Sequence, residues 1–270
     1  MSQTFTVGRL FDIRVGIHVS WLAVYAFLTY AIAGAFGALG STQAYAMGAL
    51  CALAVFLSLT AHEFAHALVA RRYGVRTQSI TLFLFGGVAT LESEPPTPRA
   101  EIAIALAGPA ASGLLGLLGC GLFALLIATT HGRLAQDVAE SVGYIAVANG
   151  VLAAFNLLPS FPMDGGRVLR AALWRRWRSR ARATAAATAV GIPLAAGLLA
   201  FGVFQIAHGH RWQDGWYVIL GGFLTLQSVV AYRAAREAVA AEGGRLESQR
   251  VLAASTLTGP ARLEPSAPIV

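Results

Sequence analysis

His62-Glu63-Phe64-Ala65-His66 is an HExxH sequence, two histidines four residues apart with a glutamate beside the first. On a helix this spacing puts both imidazoles on one face, where they can meet a single metal ion about 2.0–2.1 Å from each ring nitrogen. Glu63 then lies beside the open coordination position, where a carboxylate can accept a proton from water. Tetrahedral zinc needs one more protein ligand besides water. Asp164 is the leading candidate, within Asn156-Leu157-Leu158-Pro159-Ser160-Phe161-Pro162-Met163-Asp164-Gly165-Gly166. Pro159 and Pro162 should end a helix and keep the backbone extended, while Gly165-Gly166 permits a tight turn that aims the carboxylate back into the membrane. An N-cap role for Asp164, at the head of a helix from Arg167 to Trp177, competes for the same oxygens. His18, Glu101, His131 and Glu140 are rival ligands, none of them framed by turn-forming residues.

The elements that must position these groups follow from composition. Of 270 residues, 56% are AVILMFWYC and 12% are charged, against about 25% charged in ordinary soluble domains. A mean hydropathy of +0.63 and recurring long apolar stretches exclude a soluble enzyme and a disordered chain. Six segments are long enough, or nearly so, to span a bilayer: Gly16 to Leu39, Met47 to Ala70, Ala100 to Ala128, Val138 to Leu158, Ala183 to Ala207 and Gly215 to Tyr232. Backbone groups in lipid must be satisfied within the segment, so these are helices. The expected class is an all-α polytopic membrane protein with about six transmembrane helices. Residues 1–236 form its core, and 237–270 a polar, flexible cytoplasmic tail that starts as a helix. Val75 to Leu91, β-branched and aromatic with Gly86-Gly87 in its middle, suits a small β-hairpin or re-entrant strand region after the second helix.

All 20 basic residues are arginine, and only Arg133 and Arg211 fall in the links opposite to those holding the other eighteen. That bias places both termini, and the links after the second and fourth spans, in the cytoplasm of a multi-pass cell-membrane protein. The arginines do not gather on one soluble face, so the +7 net charge does not indicate nucleic acid. Cys51 and Cys120 lie in apolar stretches and read as small packing residues. With Arg71 at the interface, His66 and His62 sit roughly 7–14 Å below the surface at about 1.5 Å per residue, and water must reach them from the cytoplasmic side. An unpaired glutamate at that depth is costly, which argues against two merely packed histidines.

HEFAH in the second span, followed by NLLPSFPMDGG after the fourth, resembles the site-2 protease family of intramembrane zinc metalloproteases. Span number, orientation and the Gly86-Gly87 region extend the similarity from about Arg9 to Tyr232. The resemblance implies one zinc per chain held by His62, His66 and Asp164, and Glu63 as general base and acid. Asn156 would position substrate or steady an oxyanion. Ala107-Gly108-Pro109 also resembles the family, whereas Ser112 stands where an asparagine is common. The implied substrates are single-span membrane proteins, often regulators such as anti-sigma factors, and the implied form is the minimal core, without PDZ or CBS domains. A substrate helix must unwind before attack, and an exposed strand near Thr81 to Phe85 is the expected place for its capture. Pro193 and Gly221-Gly222 are candidate flex points for lateral entry. The competing readings are a membrane metal transporter using His62, Glu63 and His66, and an inactive protein that binds membrane partners.

Overall fold

The structure, a computed structural model, describes residues 4–36, 41–84, 86–209 and 215–257. Five helices are long and apolar enough to cross a membrane: α2 (Ser41–Arg72), α3 (Pro98–Thr129), α4 (Arg133–Asn156), α6 (Arg180–Ala207) and α7 (Gly215–Leu257). The first apolar segment divides. Gly16 to His18 is strand, and the helix α1 (Ser20–Ala33) continues only through a 3-10 turn, Gly34–Phe36. At about 1.5 Å per residue that helix alone is shorter than a hydrocarbon core roughly 30 Å thick. The strand Ile13–His18 leads into it from beside Phe64 and Ala67 of α2, and α1 then runs antiparallel to α2, from Trp21 beside Phe56 to Phe36 in one cluster with Ala44. Strand and helix together thus cross toward the start of α2. The end of the segment, 37–39, lies outside the described residues. The remaining helix, α5 (Asp164–Trp177), carries arginines along its length and lies between the spans α4 and α6.

The strand pair expected between Val75 and Leu91 forms as β3 (Thr77–Phe83) and β4 (Gly86–Leu91). It belongs to a larger sheet. Two N-terminal strands, β1 (Thr4–Leu10) and β2 (Ile13–His18), complete the order β1-β2-β3-β4, with β2 parallel to β3 and the other pairs antiparallel. Thr81 and Leu82 are therefore in an interior strand, paired on both sides, and offer no free edge for a substrate, while Phe83 pairs with Gly86 of β4. Phe85 lies outside the described residues. The free edge near the bundle belongs to β4.

Helix ends follow from local chemistry. Thr97 accepts from Ala100 N at 3.2 Å and Pro98 opens α3, while Ser179 accepts from Arg182 N at 3.2 Å to open α6. The bundle is close-packed through small residues. A Cβ at Gly221 would come closer than 3.0 Å to the backbone of Leu199, so that glycine is accounted for by the approach of α7 to α6. In α3 the buried residues Glu101, Ile104, Ala105, Gly108, Ser112 and Gly116 recur at three- and four-residue spacing and form one face. That face meets α2, α4 and α5. The expected tail opens as part of α7, which runs unbroken past Tyr232 to Leu257, and 258–270 lie outside the described residues.

Candidate metal centre

His62 and His66 are buried on α2, one turn apart, with ring centroids 4.8 Å apart. Their orientation is set from α3. His66 Nδ1 lies 2.6 Å from the carbonyl oxygen of Ile104, which only accepts, so Nδ1 carries a proton and Nε2 is the ring atom presented to the centre. His62 Nδ1 lies 2.9 Å from the hydroxyl of Ser112, a fully buried side chain that holds the ring with its Nε2 turned inward. Gly108 makes the remaining room: a Cβ there would lie closer than 3.0 Å to Nε2 of both histidines. The Ala107-Gly108-Pro109 match thus has a steric reason, and Ser112 makes the contact that fixes His62.

Asp164 completes the group from the other side of the bundle. Its Oδ2 is 3.0 Å from His66 Nε2 and 3.3 Å from His62 Nε2, and its Oδ1 accepts from Arg167 Nη1 at 3.3 Å. The competing N-cap role is not what the structure contains. Met163 is the N-cap of α5, no side chain caps it, and Asp164 is the first helical residue. Gly165 and Gly166 are helical too, so they do not supply a tight turn. A Cβ on Gly165 would strike the carbonyls of Leu157 and Leu158, and one on Gly166 would strike the backbone of Ser160 and Phe161. Glycine is required because the incoming loop lies directly on the first turn of α5.

Distant elements tie that loop down. Ser160 donates to the Gly191 carbonyl of α6 at 3.3 Å, Ser228 of α7 donates to the Phe161 carbonyl at 2.5 Å, and the Arg170 guanidinium sits 5.0 Å from the Phe161 ring centre. Arg170 also forms an ion pair with Glu101 of α3, whose side chain is fully buried. Glu101, one of the rival ligands, is thereby committed to joining α3 to α5. His18 hydrogen-bonds Ser20 Oγ at 2.8 Å, and His131 and Glu140 are exposed; none of these three joins the site.

Glu63 is half-buried on the turn that carries His62. A Cβ on Gly87 would come within 3.0 Å of its Cγ, Cδ and Oε1, so its carboxylate arm lies against the backbone of β4. Asn156, the last residue of α4, is half-buried and donates from Nδ2 to the Leu152 carbonyl at 2.9 Å. It is not one of the converging donors. Among the described residues the group able to hold a metal is His62, His66 and Asp164, with ligand atoms all within 4.8 Å of one another. Asp164 lies outside the five spans; burial raises its carboxyl, but hydrogen bonds to His62 and His66 and the nearby Arg167 charge outweigh this and hold it below the usual carboxylate range.

Two imidazole Nε2 atoms and a carboxylate facing one space, with both Nδ1 atoms engaged behind them, suit a divalent ion of borderline softness such as zinc. A donor set of this kind, two histidines on a membrane-length helix and an aspartate on the short helix that follows another, defines a polytopic membrane protein with a buried group able to hold a metal. The comparisons with known proteins agree with that class. The model for Peptidase family M50 matches residues 50–131 and 122–199, and the chain belongs to this family. It is 36% identical over 258 residues to the putative zinc metalloprotease Rip3 of Mycobacterium tuberculosis, covering 94% of this chain and 62% of that protein. It is 34% identical over 227 residues to the putative zinc metalloprotease sll0528 of Synechocystis, covering 83% of this chain and 58% of that one. The chain thus spans about three-fifths of the length of these relatives. Its fold is similar to that of the site-2 protease from Methanocaldococcus jannaschii, with a TM-score of 0.61, 23% identity, and coverage of 85% of this chain and 95% of that one.

Proposed function

We propose that the chain is an intramembrane zinc metallopeptidase that hydrolyses a peptide bond within or near the transmembrane segment of single-span membrane proteins. The observation that carries this reading is the convergence of His62 Nε2, His66 Nε2 and Asp164 Oδ2, with Glu63 on the same helical turn of a membrane-length helix. His62, His66 and Asp164 would hold the ion. When bound, zinc supplies Lewis-acid polarisation of a carbonyl and makes water acidic enough to yield a proton near neutral pH. Glu63 takes that proton as the water oxygen bonds to the carbonyl carbon, then delivers it to the departing amide nitrogen as the C–N bond breaks. Asn156 keeps a second amide hydrogen beyond the one given to Leu152, and this can donate to a substrate oxygen.

The position of Glu63 against Gly87 supports delivery of the unwound substrate along the free edge of β4, as an added strand. The arginine distribution supports an active site and both termini on the cytoplasmic side, with 1–236 as the peptidase core and 237–270 as a tail. Regulators such as anti-sigma factors are the substrate class that the family resemblance suggests. The test uses purified protein with a panel of single-span substrates, comparing wild type with Glu63→Gln for cleavage and bound zinc. The expected result is loss of cleavage with zinc kept near about one per chain, because Glu63 is not a ligand. Cleavage that survives Glu63→Gln overturns the mechanism.

A further inference from the structure

A cavity of about 740 Å³, lined by none of His62, His66 and Asp164, lies between the β1–β2 hairpin, the last turns of α2 and the start of β3. Arg9, Arg14, Arg71 and Arg76 line it, with Phe11 and Leu68 contributing apolar wall. Asp12 and Glu92 are its acidic residues, so four arginines against two carboxylates leave a net +2. None of the four arginines makes an ion pair among the described residues; Arg9 donates from Nε to the backbone oxygen of Asp12 at 3.2 Å.

One local feature opposes ordinary propensity here, and it faces this cavity. Arg9 and Arg14 are direct cross-strand partners in β1 and β2, a pairing that like charges destabilise. The two-residue turn between them puts Phe11 at φ 51° and Asp12 at φ 66°, the left-handed pair that matches the twist of such a hairpin. It brings the Phe11 ring edge-on to Phe64 of α2, with centroids 6.1 Å apart. Two like charges held opposite each other without an ion pair point to a compensating anion at that place.

The chemistry of that ligand follows from the lining. Guanidinium forks match phosphate oxygens. Arg71 is in the last turn of α2, where a membrane span emerges, which is the level of lipid headgroups. Beside the cavity, Phe5, Val7 and Leu10 of β1 are 65%, 65% and 52% exposed, an apolar surface suited to acyl chains. We propose that this cavity binds the phosphate of an anionic membrane lipid. The bound lipid braces the β1–β2 edge of the sheet whose opposite edge, β4, lies beside Glu63.

Native mass spectrometry of the full chain, presented with equimolar phosphatidylglycerol and phosphatidylcholine, tests this. Wild type should retain phosphatidylglycerol over phosphatidylcholine by about tenfold or more, and Arg14→Gln/Arg71→Gln should abolish the preference. Arg175→Gln/Arg176→Gln removes the same charge from exposed positions on α5 and should leave the preference intact. Should the first double variant fold poorly, judged by its zinc content, Arg76→Gln alone should give a partial loss. Equal retention of the two lipids by wild type, or equal losses in both double variants, overturns the proposal. Millimolar glycerol phosphate carries the phosphate without acyl chains: failure to displace phosphatidylglycerol supports a lipid ligand, and full displacement overturns the lipid as the source.

Discussion

The two sides of the proposed metal centre are held by opposite means. His62 and His66 sit within a single 32-residue helix, and their separation is set by helical rise alone. Asp164 follows a break between α4 and α5, and its place depends on Gly191 of α6, Ser228 of α7 and the Glu101–Arg170 pair between α3 and α5. One side requires a local pattern and two contacts behind the rings. The other requires four helices already assembled. A metal bound between them therefore reports on the packing of the whole bundle, and each side can be broken without touching a ligand.

The largest effect is expected on the side of Asp164. Glu101→Ala leaves the Arg170 charge without its buried partner and should cost about 3–5 kcal/mol of stability. A lowered thermal midpoint together with loss of zinc is the readout; an unchanged midpoint would mean that this pair does not hold α5 in place. On the histidine side, Gly108→Ala adds a Cβ closer than 3.0 Å to both Nε2 atoms. Zinc affinity should fall by about 100-fold or more, beyond the usual effect of changing a residue behind a ligand. The smallest change is Ser112→Ala, which frees the His62 ring and should weaken zinc binding by about tenfold with little loss of fold. Competition titration with a zinc chelator measures both, and a Ser112→Ala variant with wild-type affinity would remove that hydroxyl from the account of the site.

The same contrast explains which features are legible in the sequence. HExxH and its helical face are local, and the membrane-length helices follow from apolar runs, so the residue order alone reveals both. Asp164 stands out as the leading candidate because prolines and glycines surround it, yet a capping role competes for the same oxygens; the packing of α5 onto the 157–161 loop decides where they point. Gly165 and Gly166 suggest a turn, whereas their need for glycine arises from loop backbone lying on a helix. Glu101 resembles a rival ligand because its partner, Arg170, is 69 residues away. The β1–β2 hairpin is hidden because β2 merges into an apolar run that continues as α1, which also shortens the first helix. Ser112 shows in the sequence only as a departure from the family pattern, since its value depends on which ring α3 faces. Gly108, Ser112 and Glu101 do share one three- and four-residue stripe along α3, and that spacing is the signal that could find them.

The most direct measurement is zinc K-edge absorption spectroscopy on the purified wild-type chain and on Asp164→Ala. Wild type should show a four-coordinate shell of two imidazole nitrogens and oxygen at about 2.0–2.2 Å, and Asp164→Ala should lose the ion or its carboxylate oxygen. A wild-type protein that binds no zinc, or one whose shell is unchanged when Asp164 is removed, would contradict the assignment of His62, His66 and Asp164 as a single metal centre.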